Sequence, residues 1–117
     1  MSESILIQST LKFSAKIIKL QQYLTKQKKE TIISKQIIRS ATSIGANINE
    51  ANYGSSKADF IAKMHIALKE CAETEYWIRL LKESEYITAQ TYSTLLNDCI
   101  SIKKMLISTL NTAKKNQ

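Results

Sequence analysis

Apolar residues recur along this chain at alternating steps of three and four, the period of a helix with one buried face. Four such stretches predict helices at about 5–26, 31–53, 56–84 and 88–113 of a single 117-residue domain. In the first, Leu6, Phe13, Ile17, Leu20 and Leu24 mark the buried side, and Lys26-Gln27-Lys28-Lys29 ends the helix with cations that suit the negative end of its dipole. The second has Glu30 or Thr31 near its start, the heptad-spaced seam Ile37, Ala41, Ile44, Ile48, Ala51, and Gly54 as a C-terminal cap able to take positive φ. Ser56-x-x-Asp59, a capping box with Asp in place of Glu, opens the third. Its seam is Phe60, Met64, Ala67, Cys71, Thr74, Ile78 and Leu81, over a helix of about 40 Å. Thr88 is the N-cap expected for the fourth, with seam residues Tyr92, Leu95, Cys99, Ile102, Leu106, Thr109 and Ala113.

Short turns force successive helices to run antiparallel, so the expected fold is all-α, an up-down-up-down four-helix bundle. Seams spaced by 3.5 residues predict left-handed crossings of roughly 20°. The absence of proline and the presence of only two glycines agree with long uninterrupted helices. Beside the seam of the second helix, Ser40, Ser43, Asn47 and Glu50 form a polar ladder on one face, while Gly45 and Ala46 remove bulk that would keep a neighbour away. The ladder reads as a packing device whose polar groups are satisfied by a partner helix; a ligand or catalytic site is the competing reading. Glu50, at its end, is spaced to face Arg39 or Arg79.

The segment Ser43-Ile44-x-x-Asn47-Ile48-x-Glu50-Ala51, continued by Ser56-Lys57-Ala58-Asp59-Phe60 and by Ile66 through Trp77, resembles the signature of the four helix bundle protein family. This is also called the intervening-sequence protein family, because some members are encoded inside insertions in bacterial large-subunit ribosomal RNA genes. Cys71 stands where small residues often follow Lys69-Glu70, a mild departure. The resemblance implies the bundle fold, assembly into ring-like homopentamers and no established catalytic residues; more distantly, it is similar to pentameric accessory proteins of diversity-generating retroelements.

The residues themselves also suggest assembly. Ile32, Ile33 and Ile38, and the stretch Tyr76 to Leu81, exceed what one seam can bury, which nominates Tyr76, Trp77 and Leu80 for an oligomer interface. Cys71 and Cys99, both on seams and without CxxC spacing, read as reduced core thiols. The single histidine, His65, has Ala62 three residues before it, so the Glu-x-x-His pattern of a di-iron bundle fails, and no metal or other cofactor is expected. Glu70, Glu73 and Glu75 invite an acid–base reading, but no nucleophile or oxyanion site accompanies them, and pairing with Lys69, Lys63 or another subunit is favoured. No catalytic residue or small-molecule substrate is assigned. An N-terminus without signal-peptide character and the lack of a long apolar run predict a cytoplasmic protein without a membrane partner.

Charge supplies the functional lead. The net charge is +7, concentrated in the first and last helices. Lys12, Lys16, Lys19 and Lys26 lie along one side of the first, and Lys103, Lys104, Lys114 and Lys115 repeat along the fourth. In an up-down bundle these helices are neighbours whose lysines can merge into a surface for polyanions, against the alternative of a solvated face that maintains solubility. With only two arginines, no aromatic interleaved with the lysines and no helix-turn-helix or RRM signature, recognition would be of the nucleic-acid backbone. The expected function is therefore a non-enzymatic homopentameric scaffold whose basic surface binds RNA or an RNA-processing partner. The alternative is a protein-only adaptor.

Overall fold

The structure is a computed structural model that describes residues 2–116, with side chains from residue 5. Four helices follow one another: α1 (Ser2–Lys26), α2 (Ile32–Ala51), α3 (Lys57–Glu83) and α4 (Ala89–Lys115). They pack into a rod of 47 × 22 × 20 Å, a length set by the 27 residues each of α3 and α4 at 1.5 Å per residue. Each helix packs on its neighbours in sequence, α1 also packs on α4, and the α1/α4 seam is the loosest of the four. Antiparallel pairing is visible in the contacts: Ser40 of α2 meets Thr74 of α3, whereas Glu50, further along α2, meets Lys63, earlier in α3.

The apolar seams become the core. Every seam residue of α2 is buried, as are Leu6, Phe13, Ile17, Leu20 and Leu24 of α1 and the six residues from Met64 to Leu81 of α3. Phe60 and Tyr92, at the ends of their seams, are only partly buried against it. In α4 the seam takes Leu110 rather than Thr109: both lie one turn beyond Leu106, and the leucine goes inward. Thr109 turns its hydroxyl to the Met105 carbonyl instead.

Caps account for the helix ends. α2 begins on Glu30, whose buried carboxylate accepts the backbone N–H groups of Ile32, Ile33 and Ser34 at 2.8–3.0 Å. One side chain thus satisfies three of the four N–H groups that a helix start leaves unpaired. Ser56 and Thr88 accept the N–H of Asp59 and Thr91 at 3.1 Å, which fixes the starts of α3 and α4. The end of α3 is a Schellman turn, with Tyr86 N–H donating to Leu81 O and Glu85 N–H to Lys82 O; Glu85 holds φ 63°.

Gly54 corrects one expectation, because no glycine here has positive φ. Its role is steric: a Cβ would lie 2.7 Å from the Asp59 carboxylate and 3.1 Å from the Ala51 carbonyl. Gly45 does admit a neighbour, with Thr10 of α1 lying 3.0 Å from where a Cβ would stand, but Ala46 is exposed and takes no part in a close approach.

Candidate nucleic-acid interface

Flanking the inward face of α1, steps of four, three, four and three residues carry Lys12, Lys16, Lys19, Tyr23 and Lys26 along the side nearer α4. That spacing places the side chains in one row. The row borders the loosely packed α1/α4 seam, which opens into grooves. Lys12 and Lys16 line a small one of about 150 Å³ with Phe13, Asp98 and Ile102. Lys16 and Lys19 line a larger one of about 600 Å³ whose floor includes Leu20 and Leu95.

Lys16 crosses the seam to Asp98 of α4, Nζ to Oδ2 at 2.7 Å. A half-exposed pair of this kind adds little stability, yet it places a carboxylate within the basic row. Tyr23 is not read among the lysines from sequence, and the structure puts it there: it is 43 % exposed, and the Lys28 ammonium lies 5.9 Å from its ring centroid. The signal is present in the spacing, since Tyr23 is four residues after Lys19 and three before Lys26.

The lysines of α4 are placed elsewhere. Lys103 is half-buried and turns to α3, where its ammonium meets Glu75 Oε1 at 2.9 Å. Lys104, Lys114 and Lys115 are exposed, and none of the four lines the grooves beside α1. The structure therefore lines the seam grooves with Lys12, Lys16 and Lys19 of α1 and turns Lys103 of α4 away from them, to α3. The α4 wall of the larger groove is instead made of Gln90, Thr91, Thr94 and Leu95.

The acidic residues of α3 form intramolecular ion pairs. Arg39 of α2 reaches both Glu70, at 3.3 Å, and Glu73. Trp77 Nε1 donates to Glu73 at 3.0 Å, and this bond, joined by Arg39, holds the Glu73 carboxyl below its ordinary range. Glu75 sits between Lys103 and Arg79, and the hydrogen bond from Lys103 depresses its pKa most. Sequence spacing nominates Lys63, Lys69 or another subunit as partners of these carboxylates; Arg39 and Lys103 take those places because they face α3 from the two helices packed against it.

The polar ladder of α2 is satisfied in two ways. Ser40 is buried and accepts a 2.8 Å hydrogen bond from Thr74 of α3, and Glu50 pairs across the same interface with Lys63, at 3.3 Å, rather than with Arg39 or Arg79. Asn47, however, donates to the Ser43 carbonyl of its own helix, and Ser43 is half-buried. The seam thiols of Cys71 and Cys99 are free, buried and 3.6 Å apart, each also within reach of the other's backbone carbonyl. Their shared hydrogen bond, reinforced by burial, pushes the Cys99 thiol far up.

Among the residues nominated for an oligomer interface, Tyr76 is 58 % exposed and stands edge-on to Trp77 at 5.2 Å. Trp77 and Leu80 are half-buried, as are Ile33 and Ile38, whereas Ile32 is exposed. A further apolar pair escapes the sequence reading: Leu11 (65 % exposed) and Ile18 (41 %), seven residues apart on the outer side of α1. Among the described residues no group of three His, Cys, Asp or Glu is placed to hold a metal ion, and no helix is long and apolar enough to cross a membrane.

The profile of the family described as 23S rRNA-intervening sequence protein matches residues 2–108. Among solved structures, the chain is similar to a protein of unknown function from the S23 ribosomal protein family of Bacteroides thetaiotaomicron. The two are 48 % identical over 95 % of this chain and 99 % of the other, with a TM-score of 0.94. No curated protein matches the chain significantly. A profile that spans nearly the whole bundle, together with a structural relative of the same length and fold, assigns the family: the chain belongs to the 23S rRNA-intervening sequence proteins.

Proposed function

We propose that this protein is a non-enzymatic, cytoplasmic scaffold, a homopentamer of left-handed four-helix bundles whose basic surface binds RNA through its phosphates. The observation that carries the reading is the row Lys12, Lys16, Lys19 and Lys26 along one side of α1. Clustered ammonium groups gain affinity for a polyanion by releasing its condensed counterions. Lys103, tied to Glu75, contributes less than its charge suggests, and Lys104, Lys114 and Lys115, exposed on α4, add to the basic character of the protomer.

Assembly is supported by apolar side chains that one bundle leaves in water, among them Ile32, Leu11, Tyr76 and Ile18. The resemblance to ring-forming members sets the number at five, and such a ring carries five times the protomer's +7. The test is crosslinking in cells followed by sequencing of bound RNA and identification of bound protein, with light scattering of the purified protein. RNA enriched at the α1 lysines and a mass of five protomers are expected. A monomer mass removes the ring, and protein crosslinks without RNA remove the RNA surface.

The second reading, a protein-only adaptor, rests on exposed Tyr76 standing edge-on to Trp77, a pair suited to a partner's apolar side chain. It predicts partner capture that does not respond to salt and that is lost in Tyr76→Ala.

A further inference from the structure

The larger groove of the α1/α4 seam differs from the rest of the basic surface because it is recessed, apolar-floored and bordered by an aromatic ring. About 600 Å³ opens between the C-terminal half of α1 and the N-terminal half of α4, over Leu20 and Leu95. Lys16 and Lys19 are the charged residues of its lining, the Lys16 ammonium being paired at 2.7 Å with Asp98 of α4, which lies outside the lining, and Tyr23 lines it with 43 % of its surface exposed. Lys28 adds an ammonium 5.9 Å from that ring. The α4 wall offers the hydroxyls and amide of Thr91, Thr94 and Gln90.

A solvated lysine face needs neither an apolar floor nor an aromatic ring. A phosphate backbone running over lysines satisfies the charge but leaves the floor wet. An unpaired nucleotide satisfies both, because its base has an apolar face that stacks on tyrosine and a polar edge that meets hydroxyls and amides. A duplex keeps its bases stacked inward and cannot insert one without unpairing it. We propose that this groove is a slot for single-stranded RNA, in which one unpaired base stacks on Tyr23 above Leu20 and Leu95 while Lys16, Lys19 and Lys28 hold the flanking phosphates.

The slot rests on the basic-surface reading above and adds to it a preference for unpaired strands, so the two are tested by different residues. The probe is a labelled RNA strand of about 20 nucleotides, long enough to span several sites of this kind, used alone and annealed to its complement in fluorescence anisotropy. The wild type should favour the single strand. Tyr23→Ala should weaken single-strand binding roughly 5- to 160-fold, the effect of losing one stacked base, and leave duplex binding unchanged. Tyr23→Phe, which keeps the ring, should bind as wild type, and Lys19→Gln should weaken both forms.

A Tyr23→Ala variant that binds the single strand as wild type does, while Lys12→Gln, Lys16→Gln, Lys19→Gln combined abolishes binding, overturns the slot and leaves the basic surface standing. Wild-type protein that binds neither RNA overturns both. A Tyr23-dependent complex with an acidic peptide of glutamates, in place of RNA, overturns the slot in favour of a protein ligand. Because Tyr23 is largely outside the core, matching circular dichroism of the variants should show that any loss is not unfolding.

Discussion

Replacing Glu30 by alanine tests how α2, the helix that carries the polar ladder, is started. Glu30 Oε2 accepts from Ile32 and Ile33 and Oε1 from Ser34, all at or within 3.0 Å, while the Ser34 hydroxyl donates back to the Glu30 carbonyl. Thr31, which occupies the N-cap position, makes no side-chain cap bond, so nothing takes over when the carboxylate is removed. Loss of an N-cap acceptor costs about 0.5–2 kcal/mol, and loss of a partly buried anion at the positive end of a helix dipole costs up to about 2 kcal/mol more. Glu30→Ala should therefore destabilise the protein by about 2–4 kcal/mol, and Glu30→Gln, which keeps one oxygen and loses the charge, by about half of that. At a urea m-value of about 2 kcal/mol/M, the alanine variant's midpoint should fall by roughly 1–2 M with m unchanged. Protomer concentration must be held fixed, because assembly adds to apparent stability. An alanine variant within about 0.5 kcal/mol of wild type would refute the capping role and show that α2 is held by its seam alone.

Asp98→Asn removes the carboxylate that occupies Lys16; RNA affinity measured by anisotropy should rise, and the slope of log affinity against log salt should steepen by roughly 0.7–0.9 if Lys16 gains one phosphate. Glu75 is held below its ordinary carboxylate range chiefly by Lys103. A depressed folded pKa contributes stability above the unfolded value of about 4.3 and loses it as pH falls through the folded one. Urea midpoints should thus drop below about pH 4.3, and Lys103→Gln should flatten that drop. Glu85→Gly relieves a left-handed residue at the end of α3 and should raise stability by about 0.5–1 kcal/mol, read as a higher thermal midpoint, since the αL strain removed exceeds the entropy that glycine adds to the unfolded chain.

The helices and most of the core are legible because each seam keeps a 3.5-residue period with bulky apolar residues on it. Where two residues compete for one seam position, as Thr109 and Leu110 do, spacing does not decide and hydrophobicity does. The position of Gly54 after a helix suggests conformational freedom, yet what the structure shows there is crowding, by the Ala51 carbonyl of the turn before it and by the movable Asp59 carboxylate, five residues on. Ion pairs are the least legible feature: apart from Arg79, one turn from Glu75, the partners of Glu70, Glu73, Glu75 and Glu50 lie on other helices, and which helix faces which carboxylate follows from rotation about the bundle axes. The same rotation separates Lys103 from the lysines of α1. Tyr23 escapes for another reason. It lies beside the seam residue Leu24, and its membership of the lysine row shows only when the row is followed residue by residue.

The central claim, that the α1 lysines form a phosphate-binding surface, is tested most directly by the salt dependence of RNA binding in wild type and in the variant that combines Lys12→Gln, Lys16→Gln and Lys19→Gln. All three side chains are exposed and off the buried face of α1, so the variant should fold and assemble as wild type does. The account predicts that wild-type affinity falls steeply as salt rises, that the variant binds unrelated RNAs more weakly by similar factors, and that its slope is shallower by roughly 0.7–0.9 for each phosphate it no longer neutralises. A variant that binds RNA as tightly as wild type with the same slope, or wild-type binding that ignores salt, would contradict it.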